Sequence, residues 1–200
     1  MGRPILAAIA GGIVVFLWSA VSHMALGLGT AGISSLPNED RVAQAIRGAV
    51  TEPGLYYLPG FDASHKMTAD EEKVWTEKYR RGPSAFLVIH PAGREPMAPA
   101  QFVVEVVADI LAAGVAAFLL IRLAGSFLTR AAAVGLLGVF EWLDVNVSYW
   151  NWDKFPTTFT LAALADQTIA WTLAGLAMAL ILRPRPAARS GNTGGDRDVR

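Results

Sequence analysis

The chain has 200 residues, 53% of them hydrophobic and 17% charged, with zero formal net charge and no cysteine. Neutrality removes the electrostatic argument for nucleic acid as a partner, and the missing thiols exclude disulfides, thiolate metal sites, a cysteine nucleophile and covalently attached haem. A mean hydropathy of +0.38, with the charges gathered in the middle segment and the tail, marks a membrane protein carrying one polar insertion.

The first apolar run, 5–28, exceeds the roughly 20 residues that a bilayer core requires. Arg3 precedes it, and Ala20-Val21-Ser22 offers a small-residue cleavage site, so a signal peptide is the alternative reading. The apolar stretch is longer than the roughly 7–15 residues of a signal core. Gly11 and Gly12 suit close helix contact, Trp18 reads as a packing residue, and His23 is the one histidine in any run. His65 and His90 lie elsewhere, which disfavours a bis-histidine haem within the helices. Gly27-Leu28-Gly29-Thr30-Ala31-Gly32 matches the dinucleotide fingerprint by letter. That motif needs a strand before it and a helix after it, whereas a membrane helix precedes it here.

Residues 29–98 have the punctuation of a folded domain. Pro37-Asn38-Glu39-Asp40 opens a helical pattern through Val50, with Asn38 as N-cap. Glu52-Pro53-Gly54 ends it, and Leu55-Tyr56-Tyr57-Leu58 predicts a short strand stopped by Pro59-Gly60. The order then returns. Thr68 and Glu71 have capping-box spacing, a helix runs to about Arg81, Gly82-Pro83 breaks it, and Ala85-Phe86-Leu87-Val88-Ile89 predicts a second strand. An α-β-α-β unit with two paired strands is expected. About 70 residues bury only a small core, so the unit should lean on the membrane surface or the outer helix ends.

Three more apolar runs follow at 99–121, 131–147 and 159–182. Gly135 and Gly138 again suit helix contact, with Ala131 and Gly135 at four-residue spacing, while Trp142 and Trp171 read as packing residues. Tyr149, Trp150 and Trp152 form an interfacial aromatic belt. Asn146-Val147-Ser148 matches a glycosylation acceptor but sits at a helix end. The resulting division is helix 1 at 1–28, an extracytoplasmic α/β domain at 29–98, helix 2 at 99–122, helix 3 at 131–150, helix 4 at 158–182 and a disordered cytoplasmic tail at 183–200. The fold class is an all-α membrane protein, a four-transmembrane-helix bundle with an α-β-α-β insertion between helices 1 and 2.

Arg3, Arg122, Arg130, Arg183, Arg185 and Arg189 all fall on one side of these runs, which the positive-inside rule makes the cytoplasm. Both termini are then inside. The opposite connection holds only Lys154 against Asp153 among its aromatic residues.

Five carboxylates, Glu105, Asp109, Glu141, Asp144 and Asp166, lie inside the apolar runs. Each costs roughly 2.5–3.5 kcal/mol by insertion scales, which makes such groups functional-site candidates. At about 1.5 Å per residue from the cytoplasmic arginines they stand ~16–25 Å deep, one band in the outer half of the core, with His23 at its rim. Spacing places Glu105 with Asp109, and Glu141 with Asp144, on single helix faces. Three readings are open: groups hydrated or paired with Lys154 or Arg94 from the loops, a proton or hard divalent cation site with His23 as a nitrogen donor, or catalytic acid/base carboxylates. No P-loop, HExxH, GxSxG or calcium-loop pattern is present.

The combination of Phe16-Leu17-Trp18, Ser22-His23-Met24, Pro53-Gly54-Leu55-Tyr56-Tyr57 with Pro59-Gly60, Glu95-Pro96-Met97, and Ser148-Tyr149-Trp150-Asn151-Trp152 with Phe155-Pro156 resembles a family of small bacterial four-helix inner-membrane proteins with no assigned activity. The resemblance spans nearly the whole chain and implies a bacterial membrane protein, but no reaction, cofactor or site residue. The first functional expectation is a non-enzymatic accessory or interaction subunit whose domain meets a membrane or periplasmic protein partner. A cation- or proton-handling protein is the second, and an intramembrane enzyme the third. Homo-oligomerisation would widen the narrow bundle that four helices make. A nucleophile paired with a base, which an enzyme of the third kind needs, is not evident in the sequence.

Overall fold

The computed structural model describes residues 2–183. Four of its helices are long and apolar enough to cross a membrane: Gly2–Met24, Pro99–Leu120, Phe127–Trp152 and Thr157–Ile181. The first is α1, the second α4 and the last α7. The third is one rod made of α5 (Phe127–Glu141), a π-helical turn (Trp142–Asn146) and α6 (Val147–Trp152). Between α1 and α4 lie a 3-10 turn (Leu28–Thr30), α2 (Glu39–Ala49), β1 (Gly54–Leu58), α3 (Ala69–Arg81) and β2 (Ala85–Ile89). The expected α-β-α-β order is therefore present. The tail expected beyond residue 183 lies outside the described residues.

The helices stand side by side in the order α4–α1–α7–α5, with α4 and α5 meeting only slightly. Neighbours run antiparallel, and small residues set their spacing. A Cβ added to Gly12 would strike the α4 backbone at Ile110, and one at Gly138 or Gly175 would strike the backbone of the facing α7 or α5 helix. Bare backbone at these crossings permits the close van der Waals contact that holds apolar helices together where burial from water supplies little. Ala7, Val15, Ala113, Ala117, Ala170, Ala174 and Met178 form the buried core.

Helix boundaries differ from expectation where local chemistry intervenes. Helix α1 stops at Met24 instead of 28, because Gly27 turns left-handed (φ 69°) and starts the 3-10 turn. The third rod begins at Phe127, four residues early, because the Ser126 side chain accepts from Thr129 N at 3.2 Å and caps it. Asn38 occupies the position before α2 but is itself left-handed and makes no side-chain cap bond. The capping box of α3 is formed as expected: Thr68 Oγ1 accepts from Glu71 N, and Glu71 Oε2 accepts from Thr68 N at 2.8 Å.

Strands β1 and β2 pair antiparallel, Leu55 opposite Val88 and Tyr57 opposite Phe86. Alternation sends Tyr56, Leu58, Leu87 and Ile89 to the other face, where Tyr56, Leu58 and Ile89 border an apolar groove completed by Val42, Ile46 and Ala49 of α2. Helix α3 is tied to the end of β1 by Trp75 Nε1, which donates to Pro59 O at 3.1 Å.

At one end of the bundle, arginines close the C-terminal turns. Arg130, 6% exposed, donates to Leu120 O and Leu182 O at 3.0 Å each. Arg3 donates to Ile181 O, and Arg122 donates to Phe118 O while lying over the Phe118 ring. Helix C-termini leave carbonyls without partners, and a guanidinium matches both their hydrogen bonding and their dipole.

Candidate functional site

The opposite end carries the polar chemistry. Trp18 and His23 on α1 face Asp166 on α7. Trp18 Nε1 donates to Asp166 Oδ1 at 2.7 Å, and His23 Nε2 lies 3.0 Å from Asp166 Oδ2. Asp166 is 7% exposed, so the helices hold a carboxylate between an indole and an imidazole in place of solvent. The approach of His23 depends on Gly29: a Cβ there would lie 2.6 Å from the imidazole ring. Gly32, at φ 79°, lies against Phe159 in the same way. The glycines of the fingerprint-like segment thus let the chain fold closely over the end of α1 and α7, and the segment follows a helix, as the sequence indicated.

The π-helical turn orients the third rod. Val147 N donates to Trp142 O, five residues back, so the turn carries more residues per revolution than the α-helix on either side. Trp142 Nε1 fixes it to α7 by donating to Thr160 O at 2.7 Å. The turn separates Glu141 from Asp144, which α-helical spacing would place on one face. Glu141 is half-buried beside α7, and Asp144 is exposed. Asn146 Nδ2 stands 3.5 Å from Glu141 Oε1, while Glu141 Oε2 is shut from solvent with no partner.

These elements enclose a cavity of about 490 Å³, within the range of small-molecule sites. His23, Glu141, Asn146, Asp166 and Gln167 supply its polar groups, and Phe86 of β2, Tyr149, Phe155 and Phe159 its aromatic ones. The aromatic wall is continuous: Phe86 to Tyr149 is 6.5 Å between ring centres, Tyr149 to Phe155 5.2 Å, and Phe155 to Phe159 5.5 Å.

The six expected site residues therefore divide. His23, Glu141 and Asp166 line this cavity, and Glu105, Asp109 and Asp144 do not. Asp109 is half-buried on α4 with Oδ2 unpartnered, and Glu105, one turn away, is exposed. Among the described residues no group of three His, Asp or Glu side chains is placed to hold a metal ion, and the ion pairs involve histidines, with no Lys or Arg joined to a carboxylate. In the belt, Trp150 Nε1 donates to Thr157 Oγ1 at 3.1 Å, and Trp152 is largely exposed.

Trp18 and Trp142, read from sequence as packing residues, are hydrogen-bond donors at this end. Phe86, Phe155, Phe159, Asn146 and Gln167 carried no sequence signal as a group, although Phe159, Ala163 and Asp166 already lie at helical i, i+4, i+7 spacing. No family model, curated protein or solved structure matches this chain.

Proposed function

We propose that this is a multi-pass protein of the bacterial inner membrane, with both termini cytoplasmic and residues 29–98 facing the envelope, and that it serves as a non-enzymatic accessory or interaction subunit. Supporting the orientation, Arg3, Arg122, Arg130 and Arg183 collect at one end of the four apolar helices, whereas Tyr149, Trp150, Trp152 and Lys154 collect at the other.

The observation carrying the interaction role is the open face of the β-hairpin. Leu55 and Val88 are register partners, 63% and 68% exposed, and they continue an apolar face that includes Phe86 and Tyr57. A two-stranded hairpin is marginal alone, and an exposed apolar patch on such an element is a docking surface for another chain. Native mass spectrometry of the protein extracted in nanodiscs tests this. The expected result is a stoichiometric second polypeptide, or a second copy, that dissociates in a Leu55→Ser/Val88→Ser variant. A monomer in both preparations contradicts the role.

A second reading, a cation- or proton-handling protein, draws support from the unpartnered Asp109 Oδ2. Thermal stabilisation by Ca²⁺, Mg²⁺, Mn²⁺ or Zn²⁺ that vanishes in Asp109→Asn or Asp144→Asn favours a metal site. Variants at least as stable as the parent, without any metal response, exclude one.

A further inference from the structure

The cavity at the aromatic end has a polarity that selects a ligand class. Along α7, Phe159 precedes Asp166 by seven residues, and along the third rod Tyr149 follows Glu141 by eight. Because these helices are antiparallel, both place an aromatic ring toward the outer end and a carboxylate about 10–12 Å deeper. The two walls therefore match, rings nearer the helix ends and acids nearer the middle of the bundle. Phe86 and Phe155 join the rings, and among the described residues no Lys or Arg lines the space.

Each alternative occupant meets an objection in the same residues. An anion would face Asp166 and Glu141, and among the described residues the one basic side chain lining the space, His23, is already paired with Asp166. A neutral apolar molecule would suit the rings but leave the Glu141 and Asp166 carboxyls without a counter-charge. A hard divalent cation asks for six or more oxygen ligands, and no group of three acidic or histidine side chains converges among the described residues. An organic ammonium ion uses both walls. Its diffuse charge lies favourably over aromatic faces, and its N–H groups or positive shell pair with carboxylates.

We propose that the cavity between α1, the third rod, α7 and β2 binds an organic ammonium group, with Glu141 and Asp166 as counter-charges and Tyr149, Phe86, Phe155 and Phe159 as the cation-π wall. The ammonium comes from a free amine in the envelope or from the headgroup of an outer-leaflet aminophospholipid, since both present the same chemistry. This inference goes beyond the interaction role and shares with it only the outward placement of this end. Binding to purified protein does not depend on orientation, so its failure is distinguishable from a failure of topology.

The test measures the melting temperature of the full chain in nanodiscs of phosphatidylglycerol alone, titrated with choline or n-butylammonium chloride against equal sodium chloride, and in nanodiscs containing phosphatidylethanolamine. A saturable rise with the free amines assigns a solute site. A rise present only in the phosphatidylethanolamine discs assigns the lipid headgroup. In either case Glu141→Gln should weaken the effect by about tenfold, and Tyr149→Ala by about threefold or more. Leu6→Ala, exposed on α1 near the arginine end, should leave it unchanged. Absence of a rise in both settings overturns the proposal, as does a rise undiminished in both Glu141→Gln and Tyr149→Ala or a response to sodium equal to that to the amines.

Discussion

The arginine end and the aromatic end of the bundle treat exposed polar groups in opposite ways. At the first, Arg130 alone joins the C-termini of α4 and α7 through Leu120 O and Leu182 O, and Arg3 and Arg122 satisfy further carbonyls. At the second, Glu141 keeps an oxygen without a partner, a π-helical turn interrupts the third rod, and about 490 Å³ of space stands beside Asp166. Arg130 Nε also lacks a partner, so what distinguishes the arginine end is that its hydrogen bonds tie helix C-termini to one another. At the aromatic end the Glu141 and Asp166 side chains instead border open space, where a ligand can supply a counter-charge.

The comparison breaks most visibly at Arg130. Replacement by Met removes two charge-assisted bonds, those to Leu120 O and Leu182 O, an expected loss of about 3 kcal/mol, read by unfolding in detergent. Arg130→Lys should recover only part of it, since a point charge does not span two carbonyls as the fork does. Gly138→Ala comes next. The new Cβ meets the α7 backbone at Gln167 and should cost roughly 1–3 kcal/mol by forcing α5 and α7 apart.

A smaller effect sharpens the contrast between the bundle and the α-β-α-β segment. Hydrogen bonds from Thr68, with His65 adding to them, hold the Glu71 carboxyl below its usual range, and those from Ser64 do the same for Asp62. A folded-state pKa below the unfolded value means that these groups stabilise the fold above the unfolded value near 4. The contribution is lost as pH falls through the lower folded values. Amide protection at the start of α3, taken relative to the intrinsic exchange rate at each pH, should therefore fall between pH 5 and pH 3, while that of amides in the α1–α7 contact is unchanged. An equal loss of protection in both places would show that the α-β-α-β segment does not titrate on its own.

Much of this arrangement was legible in the sequence. The four apolar helices follow from runs of spanning length, and the hairpin and the capping box of α3 follow from Pro-Gly punctuation and the Thr68–Glu71 spacing. Other features depend on tertiary contact and left no local trace. The π turn that parts Glu141 from Asp144 contradicts simple helical spacing. Asn38 has the composition of an N-cap without the geometry. Arg130 announces a membrane side by its charge, yet its two carbonyl partners lie ten and fifty-two residues away. Of the carboxylates grouped by depth, only those on adjoining helices, Glu141 and Asp166, come to one cavity. Depth is one coordinate, and the rotation of each helix is another that sequence periodicity determines poorly in nearly uniform apolar runs.

The central claim is the proposed orientation, which puts the aromatic-end cavity on the envelope side and the arginine end on the cytoplasmic side. The chain contains no cysteine, so single thiols report access directly. Ala163 lines the cavity and Ala133 lies at the arginine end. In intact cells, a membrane-impermeant maleimide should label Ala163→Cys and fail to label Ala133→Cys until the membrane is permeabilised. Labelling of Ala133→Cys from outside, with Ala163→Cys protected, would contradict the account.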